Sequence, residues 1–195
     1  MIQKTCNMKK ISLAAFLCAL SFFGTAQIDL TANPLGMMWG DFGLGADYCF
    51  NSSVSSELGL GFGGDSGTDD NSNEYSYKNL NISGMVKYYF SPTHGSDNFY
   101  SGGFVKYINR NYEHTDIVAN NLIEYDQSRI GAGVLFGTKR ASEGGFIFDF
   151  NFGVGKAFID DTSFTGDDTI EVNELPAIMF IGKLSIGYRL GVKSE

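Results

Sequence analysis

In residues 145–155, side chains alternate between two kinds. Every second position holds a phenylalanine, at Phe146, Phe148, Phe150 and Phe152. The positions between them include a carboxylate, an amide and a glycine, at Asp149, Asn151 and Gly153. A period of two is that of a β-strand, because successive side chains of a strand point to opposite faces of the sheet. The two faces of this strand therefore meet very different media.

The same alternation recurs along the chain and predicts eight strands. We expect them at residues 28–35, 41–50, 54–63, 76–90, 98–114, 127–138, 145–155 and 175–190. The fifth alternates poorly, so the sequence does not assign Phe104 or Tyr107 to a face. No helical period is sustained, and no apolar run after residue 26 reaches the about 18 residues of a membrane helix. The predicted fold class is all-β.

The connections between these strands alternate in length. Those after the second, fourth and sixth strands are predicted to be short turns, at residues 51–53, 91–97 and 139–144. Those after the third, fifth and seventh are longer polar stretches, at residues 64–75, 115–126 and 159–174. Another turn is expected at residues 36–40. Outer-membrane barrels have this asymmetry, with short periplasmic turns and longer external loops. We therefore predict an eight-stranded antiparallel up-and-down transmembrane β-barrel.

Residues 1–26 have the pattern of a secretory signal peptide, and the barrel domain is expected at residues 27–195. Three lysines precede an apolar segment, residues 11–23, and small residues precede Gln27. Met8 is an alternative start, since Met8-Lys9-Lys10 alone opens a complete signal. A lipoprotein signal ending at Cys18 is the less favoured alternative, because Leu17 stands where a small residue is required.

The charge of the mature chain excludes nucleic acid as a partner. Without the three signal lysines, 11 of the 14 basic residues stand against 22 acidic ones, which gives a charge of −11. Nucleic-acid binding requires a basic face instead. Cys49 is the one cysteine after residue 26, and we interpret it as a small side chain in a strand.

The alternation alone does not say which face is inside, since a soluble lipocalin-like barrel would turn its aromatic side chains inward. Strands of about 10 to 15 residues favour the membrane, because a tilted strand needs about 9 to 11 residues to cross a bilayer. The polar face is rich in glycine, which suits the crowded lumen of an eight-stranded barrel. Four phenylalanines from one strand would overfill such a lumen.

With the aromatic face toward lipid, charges of both signs point into the lumen. These residues are Asp47, Glu57, Lys87, Arg129, Asp149, Lys183 and Arg189. A basic residue on the lipid face near the midplane would cost about 2–4 kcal/mol, and no clearly alternating strand places one there. We expect these charges to pair with one another and to plug the lumen.

The chain resembles the small eight-stranded outer-membrane β-barrels of the OmpA/OmpX type, including related barrels common in Bacteroidota. The resemblance rests on the strand pattern, on the even strand number and on residues 183–190, KLSIGYRL, which look like a barrel-assembly signal. Such signals usually end a chain on an aromatic residue, whereas here residues 191–195 follow Leu190. The resemblance implies location in the outer membrane, with its lipids and the barrel-assembly machinery as partners.

Three functions are consistent with such a barrel. The favoured one is non-enzymatic: a monomer with a structural or surface-interaction role through acidic extracellular loops, whose ligand the sequence does not identify. The second is a narrow channel for small solutes or ions. The third is a lipid-modifying enzyme, which would need histidine with serine or a carboxylate.

The histidines give the enzyme hypothesis little support. His94 falls in a predicted short turn, on the wrong side for lipid of the outer leaflet. His114 lies near the external rim beside Glu113, Thr115 and Asp116, which is the right height. We interpret His114 as a surface residue, with catalysis as the lesser alternative, and assign no catalytic residue.

The acidic stretches raise the question of a calcium site. Asp69, Asn71 and Asn73 have the spacing that opens an EF-hand loop. Glu74 replaces the required glycine, however, and Leu80 stands where the bidentate glutamate should be, so this match fails. Another kind of divalent-cation site is an alternative to plain solvated loops. Its candidate ligands are either Asp65, Asp69, Asp70 and Glu74 or, in the third acidic stretch, Asp160, Asp161, Asp167 and Asp168. No metal or cofactor is assigned.

Overall fold

Eight antiparallel strands form a closed ring in the computed structural model, which describes residues 27–38, 41–68, 73–116, 121–166 and 177–191. The strands are β1 (Gln27–Asn33), β2 (Asp41–Cys49), β3 (Val54–Thr68), β4 (Glu74–Tyr89), β5 (Asn98–Asp116), β6 (Asn121–Ala141), β7 (Phe146–Thr165) and β8 (Ile178–Leu190). A short helix, α1 (Pro34–Met38), follows β1 where the sequence predicts a turn. Within the described ranges, no helix is long and apolar enough to cross a bilayer. The predicted all-β, up-and-down barrel is confirmed.

The two faces of the strands are as different as the alternation predicts. On β7, Phe150 and Phe152 are 50 % and 53 % exposed, whereas Asp149 and Asn151 are buried. The fifth strand also alternates between the two faces, but with the aromatic Phe104 inside the ring and Val105 outside. Tyr107 is half-buried. The exposed apolar side chains therefore form an outer belt, whereas the interior holds most of the charged side chains of the strands together with buried apolar clusters around Leu135 and Met179.

The two ends of the barrel differ, and we name them by their connections. At the turn end, residues 50–53, 90–97 and 142–145 connect neighbouring strands. The last of these turns contains Gly145 at a φ of +87°, a left-handed conformation that glycine adopts without steric cost. The opposite end, where β3, β5 and β7 end and β4, β6 and β8 begin, is the loop end.

The prediction of long polar loops at the loop end is wrong over most of the described length. Gly64 to Thr68 of β3 pair with Lys78 to Glu74 of β4. β6 already begins at Asn121, and β7 continues to Thr165. Beyond the apolar belt neither face of a strand needs to be apolar, so the alternation stops although the hydrogen-bonded ladder continues. The period-two alternation therefore marks only the part of each strand that carries the apolar belt, and the strands extend beyond that part.

A β-bulge in β7 changes which face its outer residues take. Ile130 of β6 pairs with Ile159, whereas the next residue, Gly131, pairs with Ala157, so Phe158 is the extra residue. Phe158 and Ile159 are consecutive and both exposed. A bulge inserts one residue and so shifts the period-two alternation by one position. Asp160 therefore meets Arg129 of β6, with Arg129 Nη2 2.7 Å from Asp160 Oδ2.

The ring closes through a short seam between β1 and β8. Five residue pairs join these strands, from Ile28 with Leu190 to Ala32 with Ile186. By contrast, β5 and β6 pair over 19 positions, from Asn98 with Lys139 to Asp116 with Asn121. The stretch of β8 nearest the loop end, Ile178 to Ser185, is not paired with β1.

Candidate functional site in the lumen

Eight ionisable side chains fill the lumen toward the turn end. We call this set the charge layer: four carboxylates and four cations, namely Asp29, Asp47, Glu57, Asp149, Lys87, Lys139, Lys183 and Arg189. All except the half-buried Lys183 are at most 2 % exposed. Their formal charges cancel. A buried charge is tolerated only when it is paired and hydrogen-bonded, so the balance between the two signs is what allows this layer to exist.

Lys87 is the centre of the charge layer. Its Nζ lies 3.0 Å from Asp47 Oδ2, 2.5 Å from Glu57 Oε2 and 3.1 Å from Asp149 Oδ2. These carboxylates come from β2, β3 and β7, whereas Lys87 is on β4. One ammonium with three donors therefore ties four strands together across the axis.

Two further cations continue the layer toward β1. Lys139 Nζ lies 2.8 Å from Asp29 Oδ2 and 2.5 Å from Asp47 Oδ2. Arg189 forms a bidentate ion pair with Asp29, in which Nε donates to Oδ1 at 2.7 Å and Nη2 donates to Oδ2 at 2.9 Å. The same guanidinium donates to the backbone carbonyls of His94 and Ser96, so it also holds the turn between β4 and β5. Bidentate arginine–carboxylate pairs combine strength with fixed geometry.

The remaining cation, Lys183 on β8, forms an ion pair with Glu57 and donates to Thr31 Oγ1 at 3.3 Å. Glu57 is therefore shared between Lys87 and Lys183.

Two tyrosines donate further hydrogen bonds to the carboxylates. Tyr100 Oη donates to Asp149 Oδ1 at 2.8 Å, and Tyr89 Oη donates to Asp47 Oδ2 at 3.4 Å. The ammonium of Lys87 lies 5.0 Å from the ring centroid of Tyr100, and that of Lys139 lies 5.2 Å from that of Tyr89. These cation–π contacts and hydrogen bonds offset part of the desolvation of the buried charges.

The seven charged residues predicted to face the lumen do so, and the predicted pairing of lumen charges is confirmed. Sequence reasoning missed the part that Asp29 and Lys139 take. Lys139 was expected in a turn, but it lies on β6 and is fully buried. Continuing the alternation by one step beyond Gly137 would have placed it inward, since Arg129 and Gly137 share its face. Arg129 itself pairs with Asp160, farther toward the loop end.

A cavity of about 480 Å³ lies on the loop-end side of the charge layer. We call it the vestibule, and its polar lining includes Asn33, Asp41, Asn79, Asn81, Ser83, Lys106, Arg110 and Asn151. One wall is formed by glycines of β2 and β3, at Gly43, Gly45, Gly59 and Gly61. A Cβ on Gly45 would lie 2.6 Å from Thr31 Oγ1 and 2.7 Å from Glu57 Oε1, so the missing side chain makes room for the top of the charge layer.

Several polar atoms of the vestibule have no hydrogen-bond partner in the structure. Both amide atoms of Asn151 are in this state although its side chain is fully buried. Asn79 Oδ1 and Arg110 Nε are also buried without a partner. Asn79 Nδ2 does donate to Asp41 Oδ1, at 3.3 Å. The vestibule thus has donors and acceptors to offer, whereas in the charge layer most such groups are engaged.

The residues that the sequence singled out for chemistry are dispersed. His94 is exposed in the turn at residues 90–97. His114 lies on β5 toward the loop end, half-buried, with its ring stacked on Tyr112 at a centroid distance of 6.4 Å. Cys49 is buried, with its Sγ 3.8 Å from Asp29 Oδ2, as expected of a small side chain in a strand.

The candidate metal ligands do not come together where they can be observed. Asp65, Glu74, Asp160 and Asp161 are exposed on strands near the loop end. Asp69, Asp70, Asp167 and Asp168 lie outside the described residues. In the part of the chain that the structure describes, no group of three or more histidine, cysteine or carboxylate side chains is placed to hold a metal ion.

The fold is that of known outer-membrane proteins. No protein-family model and no curated protein matches the chain significantly. Among solved structures, it is similar to a major outer membrane protein from Thermus thermophilus, at 15 % identity over 85 % of this chain and 99 % of that one, with a TM-score of 0.54. It is also similar to CarO2 of Acinetobacter baumannii, at 13 % identity over 85 % and 98 % of the two chains, with a TM-score of 0.52. The chain therefore has the fold of these outer-membrane β-barrel proteins, with eight strands in its own ring.

Proposed function

We propose that the protein is a sealed, non-enzymatic barrel of the outer membrane, monomeric, with a structural or surface-interaction role. The observation that carries the proposal is the charge layer. Eight paired side chains occupy the axis and leave no unpaired cation or carboxylate among them. An ion crossing this layer would have to break pairs that are held in a poorly solvated interior.

The exposed surface at the loop end fits a contact role. Asp65, Glu74 and Asp161 project from strands that continue beyond the apolar belt, so carboxylates are held on a rigid frame. In the orientation usual for such barrels, the loop end faces outward and the turn end faces the periplasm. A partner drawn to this rim would carry positive charge.

Single-channel recording tests the sealed lumen. The refolded protein, inserted in a planar bilayer, is expected to give no steady current steps. The double variant Glu57→Ala/Lys87→Ala removes one charge of each sign and two large side chains, so it keeps the layer neutral while opening space along the axis. We expect this variant to conduct. The matched control Glu74→Ala/Lys78→Ala removes the same side chains from exposed positions and is expected to stay silent.

The second candidate function, a narrow conduit for small solutes or ions, is favoured by the vestibule, which already hollows out the loop-end half of the lumen. The same recording separates the two functions. Steady steps from the unmodified protein would overturn the sealed barrel and support the conduit. Heat-modifiable gel mobility of each sample verifies that the barrel is folded before it is recorded.

A lipid-modifying activity of His114 stays a prediction of the sequence. Its replacement by glutamine in the producing cell is expected to leave the lipid A profile unchanged by mass spectrometry. A changed profile would contradict the non-enzymatic role.

A further inference from the structure

We infer that the vestibule is a binding site for a small hydroxylated organic anion, of the size and chemistry of a sugar acid. The proposal goes beyond the sealed barrel and does not depend on it, because a ligand can bind above the charge layer whether or not that layer conducts. The site has the dimensions of a small-molecule pocket, which typically encloses about 300–1,000 Å³. Its volume is about 480 Å³.

The charge of the vestibule favours an anion. Lys106 and Arg110 are two positions of the same inward face of β5, and both line the cavity. Among the described residues neither forms an ion pair with a carboxylate, and Lys106 Nζ instead donates to the backbone carbonyl of Phe180 at 3.3 Å. Asp41 is the one lining carboxylate not shared with the charge layer, since Glu57 already pairs with Lys87 and Lys183.

This cationic pair stands out because the protein as a whole is acidic. The sequence holds 22 acidic and 14 basic residues. The remaining lumen cations, in the charge layer and at Arg129, are matched with carboxylates. Lys106 and Arg110 face only one carboxylate that is not shared with the charge layer, Asp41, and an excess of positive charge in a half-buried cavity is unfavourable unless something compensates it. A carboxylate ligand would provide that compensation.

The amides of the vestibule favour hydroxyl groups on the same ligand. Asn151 presents an unpartnered acceptor and an unpartnered donor, and its side chain is fully buried. Asn79 Oδ1 is a further free acceptor, because the Nδ2 of the same amide is engaged with Asp41. An alcohol both donates and accepts, so it satisfies amides of either orientation. Leaving such groups unpaired in the interior is costly, and the ligand would supply their missing hydrogen bonds.

The glycines of β2 and β3 form one wall of the vestibule. Gly43, Gly45, Gly59 and Gly61 present bare backbone along one wall, and a Cβ on Gly59 would already lie 2.5 Å from Ser83 Oγ. The missing side chains therefore let Thr31, Ser83 and Asn81 pack close to the backbone of this wall. The vestibule is thus a pocket of mixed lining, with polar groups from several strands and apolar side chains such as Met85 and Ile108 beside them.

The test uses the full chain, refolded in detergent micelles, with isothermal titration calorimetry against three probes. Glucuronate carries the carboxylate and the hydroxyls, glucose carries the hydroxyls alone, and inorganic phosphate carries charge alone. We expect saturable binding of glucuronate, with glucose and phosphate each weaker by about tenfold or more because one set of contacts is lost. No binding of glucuronate overturns the proposal. Equal binding of glucose refutes the role of the cations, and equal binding of phosphate refutes that of the amides.

Variants locate the site. Arg110→Gln and Asn151→Leu are each expected to weaken glucuronate binding by about tenfold, since each removes a charged or doubly hydrogen-bonding partner. Lys78→Gln removes a charge from an exposed position of β4 near the same end and is expected to bind as the unmodified protein does. If Arg110→Gln and Asn151→Leu bind normally while remaining heat-modifiable on gels, the site is elsewhere and the proposal fails. Single-channel recording on the same samples keeps the outcome for the sealed lumen separate.

Discussion

The two halves of the lumen use buried polar side chains in opposite ways. In the turn-end half, carboxylates and cations are matched, and Lys87 alone contacts three carboxylates. In the loop-end half, the fully buried Asn151 has no partner for either amide atom. Both halves are polar and both are enclosed by the same strands. Buried polar groups thus cross-link the strands in one half of this small barrel, whereas in the other half they include the unpaired amide on which the proposed binding site rests.

The largest loss of stability is expected from Lys87→Met, which removes the central cation of the charge layer. It leaves Asp47, Glu57 and Asp149 buried together without their shared cation, and removing one partner of a buried ion pair costs about 3–5 kcal/mol. The free energy of unfolding, measured by urea titration of the protein in lipid vesicles, should fall by that amount. Lys78→Met at an exposed position is the matched control and should leave it nearly unchanged. An equal effect of the two variants would mean that the charge layer does not stabilise the fold.

A sharper comparison comes from two neighbours on the inward face of β7. Asp149→Leu leaves the hydroxyl of Tyr100 without its acceptor and removes one ion pair of Lys87. We therefore expect the free energy of unfolding to fall by about 2–3 kcal/mol, as is typical of hydrogen bonds to charged groups. Asn151→Leu replaces an unpartnered amide by an apolar group of similar size, so the change should stay within about 1 kcal/mol or be stabilising. Urea titration of both variants measures the contrast. If Asn151→Leu is as damaging as Asp149→Leu, the vestibule amide has a structural partner, and the distinction between the two halves collapses.

The smallest expected change in stability comes from adding a methyl group to a glycine that faces the lumen, compared with a glycine on the outer face. Gly45→Ala places a Cβ 2.6 Å from Thr31 Oγ1 and 3.0 Å from Lys183 Nζ, at the boundary between the charge layer and the vestibule. Overpacking of this kind should cost at least about 1 kcal/mol. Gly84→Ala is the control, because a Cβ there meets nothing within 4 Å. We expect this second change to be neutral or mildly stabilising, and the midpoint of thermal unfolding in vesicles measures both. Equal midpoints would show that the side chains around Gly45 can move aside to accommodate the added methyl group.

The sequence predicted the fold where the solvent on the two sides of a strand differs most. The opposite orientations of Phe150 and Asp149 were predictable, because Phe150 lies on the outer apolar belt and Asp149 pairs with the buried Lys87. Residues 64–68 were predicted as loop because, beyond the apolar belt, both sides of β3 are polar. The faces of β5 were unassigned because Tyr100 and Phe104 are aromatic yet point inward, against the rule that holds on β7.

The candidate site was predictable only in part. Alternation placed Glu57 and Lys87 on the inner faces of neighbouring strands, and a narrow lumen then forces opposite charges together. Which cation meets which carboxylate depends on the register of strands that are distant in sequence, such as Asp29 with Lys139, 110 positions apart. The vestibule was not predicted, because no periodic signal reports an empty space. The glycines of β2 and β3 were the available clue, and we interpreted them as packing.

Because the seam between β1 and β8 has few residue pairs, the barrel is expected to open there first. Five pairs join the first and last strands, against 19 between β5 and β6. Asp29 and Arg189 stand opposite each other in that seam and also form its bidentate ion pair. This ion pair and the hydrogen bond from Lys183 to Thr31 therefore hold the first strand to the last. Amide-proton exchange along β1 should be faster than exchange along β5 when the barrel opens at this seam.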